Sequence, residues 1–319
     1  MILFKTAFQQ KLLNSLCARY FWSKSKQTYG VYDIVSLGDV SPPRAVPQYL
    51  TLPSYAETGI VTDEPESNDD CSPEIKTKGQ IEMMRQSCKL AKFVLDSARS
   101  QIKTGITTDE IDEFVHDLII NNNAYPSPLN YKGFMKSVCT SINNILCHGV
   151  PDNRPLHDGD IISVDVSVYL NGFHGDCAAT YCVGDVDEQG KKLVSIAEQC
   201  MYNGINVCKP GKSFSEISKA IELYAYNNEH RVIPCITGHG IGTFFHGPPT
   251  IFHTTQNTYP GLMEPGMIFT IEPVVIQGTS SDIAILDDGW SIATLDDSRG
   301  AQFEHTVLIT ENGCDILTV

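Results

Sequence analysis

Apolar residues recur at helical spacing in four stretches of the chain, and these fall into two pairs. Gln80–Gln101 and the segment beginning at Ile111 form the first pair. Glu188–Val207 and the segment beginning at Ile217 form the second. In the shorter member of each pair the apolar positions are Ile111, Phe114, Val115, Leu118 and Ile119, and then Ile217, Ala220, Ile221 and Tyr224. A capping box precedes each short helix, Thr107 with Glu110 and Ser213 with Glu216. The lead-in Lys103-Thr-Gly-Ile-Thr-Thr-Asp-Glu-Ile111 matches Lys209-Pro-Gly-Lys-Ser-Phe-Ser-Glu-Ile217. The strand run Gly159-Asp-Ile-Ile-Ser-Val-Asp165 aligns with Gly266-Met-Ile-Phe-Thr-Ile-Glu272 at nearly the same offset. Two matches at one offset predict duplicated α-then-β halves. The expected fold class is α+β, with an antiparallel sheet, helices outside it and an internal pseudo-twofold. That symmetry brings two carboxylate-bearing hairpins face to face. A slip of one residue in register would turn a carboxylate to the wrong face.

Ahead of the repeat the pattern changes. Met1–Gly30 carries Lys5, Lys11, Arg19, Lys24 and Lys26 with no acid before Asp33, and Ile2, Leu3, Phe4, Phe8, Leu12, Leu13 and Leu16 suit one face of a helix. Residues 1–30 therefore read as a transit peptide, most simply mitochondrial and directed to the matrix, with a cytoplasmic location as the alternative. Residues 31–76 read as a proline-dotted extended arm (Pro42, Pro43, Pro47, Pro53) followed by an acidic linker, Glu57–Glu74, expected to be solvated. Residues 77–319 form the folded domain.

A net charge of −15 argues against nucleic acid as a partner. No apolar run reaches the length of a membrane span, so no membrane insertion is expected. The 11 cysteines include no CxxC, and they read as reduced, buried thiols in a reducing compartment.

The candidate chemistry lies at the ends of the β-rich runs. Asp165 ends Ile161-Ile-Ser-Val-Asp165, and Asp176 follows the turn in Asn171-Gly-Phe-His-Gly-Asp176. Glu272 ends Met267-Ile-Phe-Thr-Ile-Glu272, and Glu304 ends Gly300-Ala-Gln-Phe-Glu304. His239 sits between the pairs in Gly238-His-Gly-Ile-Gly242, where glycines leave room for close approach. One acid on a strand is more often a solvent-facing residue. Four in repeated apolar settings, with few basic residues nearby, call for a cation, because an unpaired buried carboxylate is costly. Oxygen donors with one imidazole suit Mn, Fe, Co or Zn. Two bridging carboxylates hold two such ions about 3.5–4 Å apart, a pairing suited to hydrolysis of an amide or ester. His148, in Cys147-His-Gly-Val-Pro151, and His246, in Phe244-Phe-His-Gly-Pro-Pro249, read equally well as site or structural residues. The remaining histidines read as surface or structural, with His174 and His305 the open cases beside predicted ligands.

Together these residues resemble the type 1 methionine aminopeptidases from about Gln80 to the C-terminus. The matching strings are Asn143–Pro151, Ser163-Val-Asp-Val-Ser167, Asn171–Asp176, Gly238–Gly242, Thr270-Ile-Glu-Pro273 and Gln302-Phe-Glu-His-Thr306. The arm, Tyr125-Pro-Ser-Pro-Leu-Asn-Tyr131, the Phe-His-Gly-Pro turn and the basic leader point to the mitochondrial form, type 1D. The resemblance implies the pita-bread fold and makes residues 77–319 a catalytic metallopeptidase domain. It implies that Asp176 and Glu304 bridge two divalent metal ions (Co, Mn, Fe or Zn), with Asp165 on one and His239 and Glu272 on the other. Glu272 would also shuttle the proton, His246 would support the tetrahedral intermediate or the peptide backbone, and His148 would contact the scissile nitrogen. Tyr131, Phe134, Cys139, Phe245 and Trp290 would form the methionine pocket, although core packing is the simpler reading of such residues taken one by one. The implied substrates are N-terminal Met peptides of nascent proteins with a small second residue, cleaved by a monomer. Met135 departs from the proline common there in the family, which should relax the pocket-edge loop. The chain lacks a Cys/His-rich leader, so no ribosome-docking zinc module is expected. Two other readings compete: a proline-specific peptidase of the same fold, and a binding protein that has lost catalysis.

Overall fold

The computed structural model describes residues 29–65 and 72–319. Most of the proposed transit peptide, residues 1–28, lies outside the described residues. The repeat seen in the sequence becomes two lobes sharing one sheet. Helices Lys78–Arg99 and Thr108–Asn121 pack on the strand pair Ile161–Leu170 and Phe173–Cys182. Helices Glu188–Asn206 and Ser215–Asn227 pack on the strands Ile268–Ile271 and Glu304–Ile309. All four strands belong to one nine-stranded sheet and run antiparallel to their neighbours. Strand Phe173–Cys182 pairs with Glu304–Ile309 at the centre, so the seam between the lobes is itself a strand pair. Two further three-stranded sheets are built around Val274–Ile276 and Ile292–Thr294.

The first pair of carboxylates sits on a hairpin, as the sequence suggests. The second does not. Strands Ile268–Ile271 and Glu304–Ile309 pair antiparallel, but the chain leaves between them to build Val274–Ile276, Ile283–Ile285, Ile292–Thr294 and Gly300–Gln302. Symmetry is kept in the pairing and lost in the connection.

Local chemistry explains where the helices begin. Thr107 and Glu110 form the expected reciprocal capping box, and Thr77 with Gln80 forms another. Ser213 and Glu216 do not. That helix starts at Ser215 with Phe214 at the cap position, Ser213 Oγ accepts from the Ser215 amide, and Glu216 is drawn 2.9 Å from Lys219. Gly175 lets the first helix lie directly on the Asp176 strand: a Cβ there would come within 2.5 Å of the Cys88 amide nitrogen.

The arm is extended, as expected, but it is fastened along its length. Val31 N–H donates to Asp187, Val35 N–H to Asn144 and Gly38 N–H to Asp152. Arg44 bridges Asp109 and the buried Asp112. The Tyr55 hydroxyl donates to the Ser127 carbonyl at 2.6 Å. Arg299, fully buried, holds Asp187 and the Tyr29 carbonyl, tying the start of the arm to the second lobe. The described part of the acidic linker departs from its solvated reading: Val61 packs on the cluster of Tyr55, Tyr131 and Phe245. Glu64 is only 12% exposed and lies against Tyr131 and His246.

Cys88, Cys139, Cys147, Cys177, Cys200 and Cys208 are buried free thiols, whereas Cys182 and Cys235 are exposed. Burial raises the Cys88 thiol to about 12, so it stays protonated. Among the described residues no helix is long and apolar enough to cross a membrane.

Candidate metal centre and active site

Sheet register puts the predicted carboxylates on one face. Asp165 pairs with Ala178 and Ser167 with Asp176, so Asp165 and Asp176 face the same side. Ala178 also pairs with Glu304, which extends that face across the seam. Thr306 pairs with Thr270, two residues before Glu272, and carries it to the last strand. His239 enters from the neighbouring strand Gly238–Gly240.

Its flanking glycines answer to backbone as much as to any ligand. A Cβ on Gly238 would lie 2.3 Å from the Thr270 carbonyl oxygen, and one on Gly240 1.9 Å from that of Pro248. They let the His239 strand close against both neighbours.

Asp176, His239 and Glu304 bring donor atoms within 4.8 Å of one another. His239 Nε2 lies 3.6 Å from Glu272 and 3.8 Å from Asp176. Its Nδ1 is 3.2 Å from the Gly240 carbonyl, which can only accept, so the ring proton sits on Nδ1 and Nε2 presents its lone pair to the carboxylates. Asp165 lies against Asp176, and its Oδ1 and the Glu304 Oε1 are buried with no hydrogen-bond partner. Among the described residues, the ion pairs formed by this set run to His239 and not to a lysine or arginine.

The energetics follow. Burial pushes Asp176 up to about 6. Burial and then repulsion from Asp176 push Glu272 up to about 8. The same two causes drive Asp165 and Glu304 well above the carboxylate range. Burial holds His239 well below its ordinary value, so it is neutral and free to ligate.

Raised carboxyl groups favour the fold only while protonated. The metal-free protein should therefore lose stability as pH rises from the unfolded carboxylate range, about 4, through about 8, whereas divalent metal should flatten that decline. Thermal midpoints between about pH 5 and about pH 8, with chelator and with metal, measure this. Equal slopes in the two conditions would contradict it.

Sequence reasoning missed the groups that aim these ligands. Ser167 donates to Asp176 at 2.7 Å, and Thr270 donates to Glu272 at 2.8 Å while accepting the His239 amide. Gln302 reaches the other Glu272 oxygen at 3.4 Å. Each lies two residues along the chain from a ligand, and a period of two would have found them. His253, read only as surface or structural, is fully buried and accepts the Glu272 amide at 3.2 Å.

The other predicted residues surround this centre. His148 is half-buried, with φ 54° and a buried, unpartnered Nδ1. His246 lies against His239, ring centroids 4.2 Å apart. Tyr131 and Phe245 meet edge to face at 5.1 Å, and His174 stacks on Phe245 at 5.0 Å, so His174 is a buttress. Phe134 and Trp290 meet edge to face at 5.2 Å, with Cys139 in the same cluster. His305 bonds Thr318 and is structural. Met135 is 43% exposed, but the loop does not rely on a proline: Asn130 N–H donates to the Phe134 carbonyl and Phe134 N–H to that of Tyr131.

Buried carboxylates and one imidazole across the seam of a two-lobed antiparallel sheet define a metal-dependent hydrolase. The sequence profile of metallopeptidase family M24 matches residues 82–311. The chain is 48% identical over 300 residues to methionine aminopeptidase 1D, mitochondrial, of Mus musculus, covering 94% of this chain and 86% of that protein. It is 49% identical over 288 residues to the Homo sapiens protein of the same name, covering 90% and 84%. The structure of a methionine aminopeptidase from Rickettsia prowazekii superposes with a TM-score of 0.76 at 40% identity, covering 78% of this chain and 100% of that one. A prolidase from Pyrococcus furiosus gives 0.59 at 25% identity, covering 77% and 65%. The chain belongs to metallopeptidase family M24, on its type 1 methionine aminopeptidase branch, and has the pita-bread fold.

Proposed function

We propose that this chain removes the N-terminal methionine from polypeptides in the mitochondrion, by metal-dependent hydrolysis of the first peptide bond. The observation that carries the reading is the register that aligns four carboxylates on one sheet face beside His239. The residues fit a metal pair: Asp165 Oδ1 and Glu304 Oε1 are orphaned and buried, and His239 offers a lone pair. Asp176 and Glu304 would bridge the two divalent ions, Asp165 would hold one, and His239 and Glu272 the other. Bound, such a pair acidifies water and polarises a carbonyl oxygen.

The chain's own groups do the rest. Glu272 takes a proton from the attacking water and passes it to the leaving nitrogen. Its carboxylate can accept a proton and give it back, which both tasks need. His246 supports the substrate backbone, and His148 stands at the scissile nitrogen. Tyr131 with Phe245, and Phe134 with Cys139 and Trp290, hold the methionine side chain through apolar and polarizable contact. Asp165 serves the α-amine end of the substrate, which explains exopeptidase action.

Every assigned donor comes from one chain, which supports action as a monomer. The charge of −15 disfavours nucleic acid as a partner. The basic leader, residues 1–30, serves as a matrix-directing transit peptide, and 77–319 is the catalytic domain. Met-Ala-Ser should be cleaved at least about 100-fold better than Xaa-Pro peptides, as expected when a snug pocket discriminates. Preferred cleavage of Xaa-Pro would move the chain to the prolidase branch, and no cleavage by the metal-loaded protein would favour a binding module.

A further inference from the structure

Glu64, in the linker that follows the arm, reaches the site described above. Its Oε1 accepts the Tyr131 phenol at 2.6 Å and the His246 backbone N–H at 3.0 Å. The same oxygen lies 3.4 Å from His246 Nδ1, and Tyr131 Oη lies 2.8 Å from that nitrogen. Lys132 Nζ donates to Tyr131 Oη at 2.8 Å and to Glu64 Oε2 at 3.2 Å. Tyr55, from the arm, supports the back of Tyr131 edge to face at 5.1 Å.

The hydrogen bonds of this cluster fix a proton on His246 Nδ1. Burial and the adjacent Glu64 hold the Tyr131 phenol far above its ordinary range, so it keeps its hydrogen. A carboxylate can only accept, and at 2.6 Å it takes that hydrogen. The phenol has no second hydrogen, so the 2.8 Å contact with His246 must be donated by Nδ1–H. A neutral imidazole so held carries a lone pair on Nε2.

We propose that Glu64 is a positioning residue, which fixes the tautomer of His246 and the pose of Tyr131 from outside the catalytic domain, leaving His246 Nε2 to accept a peptide N–H of the substrate. This rests on the function proposed above. Extended peptide backbone beyond the methionine offers such donors. Removing Glu64 frees the Tyr131 hydrogen to turn to Nδ1, which would transfer the imidazole proton to Nε2 and make it a donor.

Imidazole nitrogen-15 shifts of the zinc-loaded full chain read this directly. Wild type should show His246 protonated at Nδ1, and Glu64→Ala should move the proton to Nε2. Kinetics on Met-Ala-Ser supply the second readout. Glu64→Ala should lower kcat/KM roughly tenfold, the scale of one lost hydrogen bond to a charged group. Tyr131→Phe should cost a similar factor, and the double variant no more than either alone, since both break one network. Glu64→Gln keeps an accepting oxygen and should recover most of the loss, even where Glu64→Ala loosens the arm. An Nε2–H tautomer in wild type, unchanged kcat/KM in Glu64→Ala, or losses that multiply in the double variant would each overturn the assignment. The tautomer is read without substrate, so failure of wild type to cleave Met-Ala-Ser would count against the proposed function and not against this.

Discussion

Asp176→Ala is expected to abolish turnover of Met-Ala-Ser and to strip the protein of most of its bound metal. Asp176 stands at the seam, within reach of His239 and Glu304 and against Asp165. It is the donor that the others share. Its removal leaves three buried carboxyl groups without the geometry to retain a cation pair, and the acidified water is lost with it. A fall in kcat/KM of at least about 10³-fold follows, since metal activation supplies several kcal/mol to the barrier. Turnover and metal content by elemental analysis should collapse together. Wild-type turnover in a well-folded variant would remove Asp176 from the bridging role. A folded baseline is to be expected, because apo-state repulsion falls when one charge of the cluster is deleted.

Glu272→Gln is expected to have the next largest effect, on kcat more than on KM. The amide is the same size and keeps the contact with Thr270 Oγ1, but it cannot take a proton. Loss of a general acid–base group costs roughly 10²–10⁴-fold. The site is built to hold this residue in place: the Thr270 hydroxyl donates to its carboxylate, and His253 anchors its backbone amide. Single-turnover rates separate the chemical step from binding. A variant that raises KM and leaves the chemical step untouched would show Glu272 to be only a donor to metal.

Much of this was legible before any coordinates. The duplicated helix and strand patterns gave the two lobes because apolar periodicity is a local signal that survives folding. The five donors stood out because carboxylates at the ends of apolar runs conflict with burial unless something pairs them. What stayed hidden was non-local. The long excursion between Ile271 and Glu304 replaces the expected second hairpin, and nothing in its residues announces which strands it skirts. Ser213 and Glu216 spell a capping box, yet Lys219 and the start of the helix at Ser215 divert both members. Glu64 sits in an acidic stretch whose composition reads as solvated, and only the docking of the arm against Tyr131 gives it partners. His253 carries no sequence signal at all, since its role is set by the Glu272 amide across the fold.

The seam at Ala178–Glu304 divides the carboxylates evenly: Asp165 and Asp176 come from one half, Glu272 and Glu304 from the other. Neither half is a peptidase by itself. The second half adds His239 from the strand Gly238–Gly240, so cutting the chain at the seam would leave two carboxylates on one piece and two with the imidazole on the other.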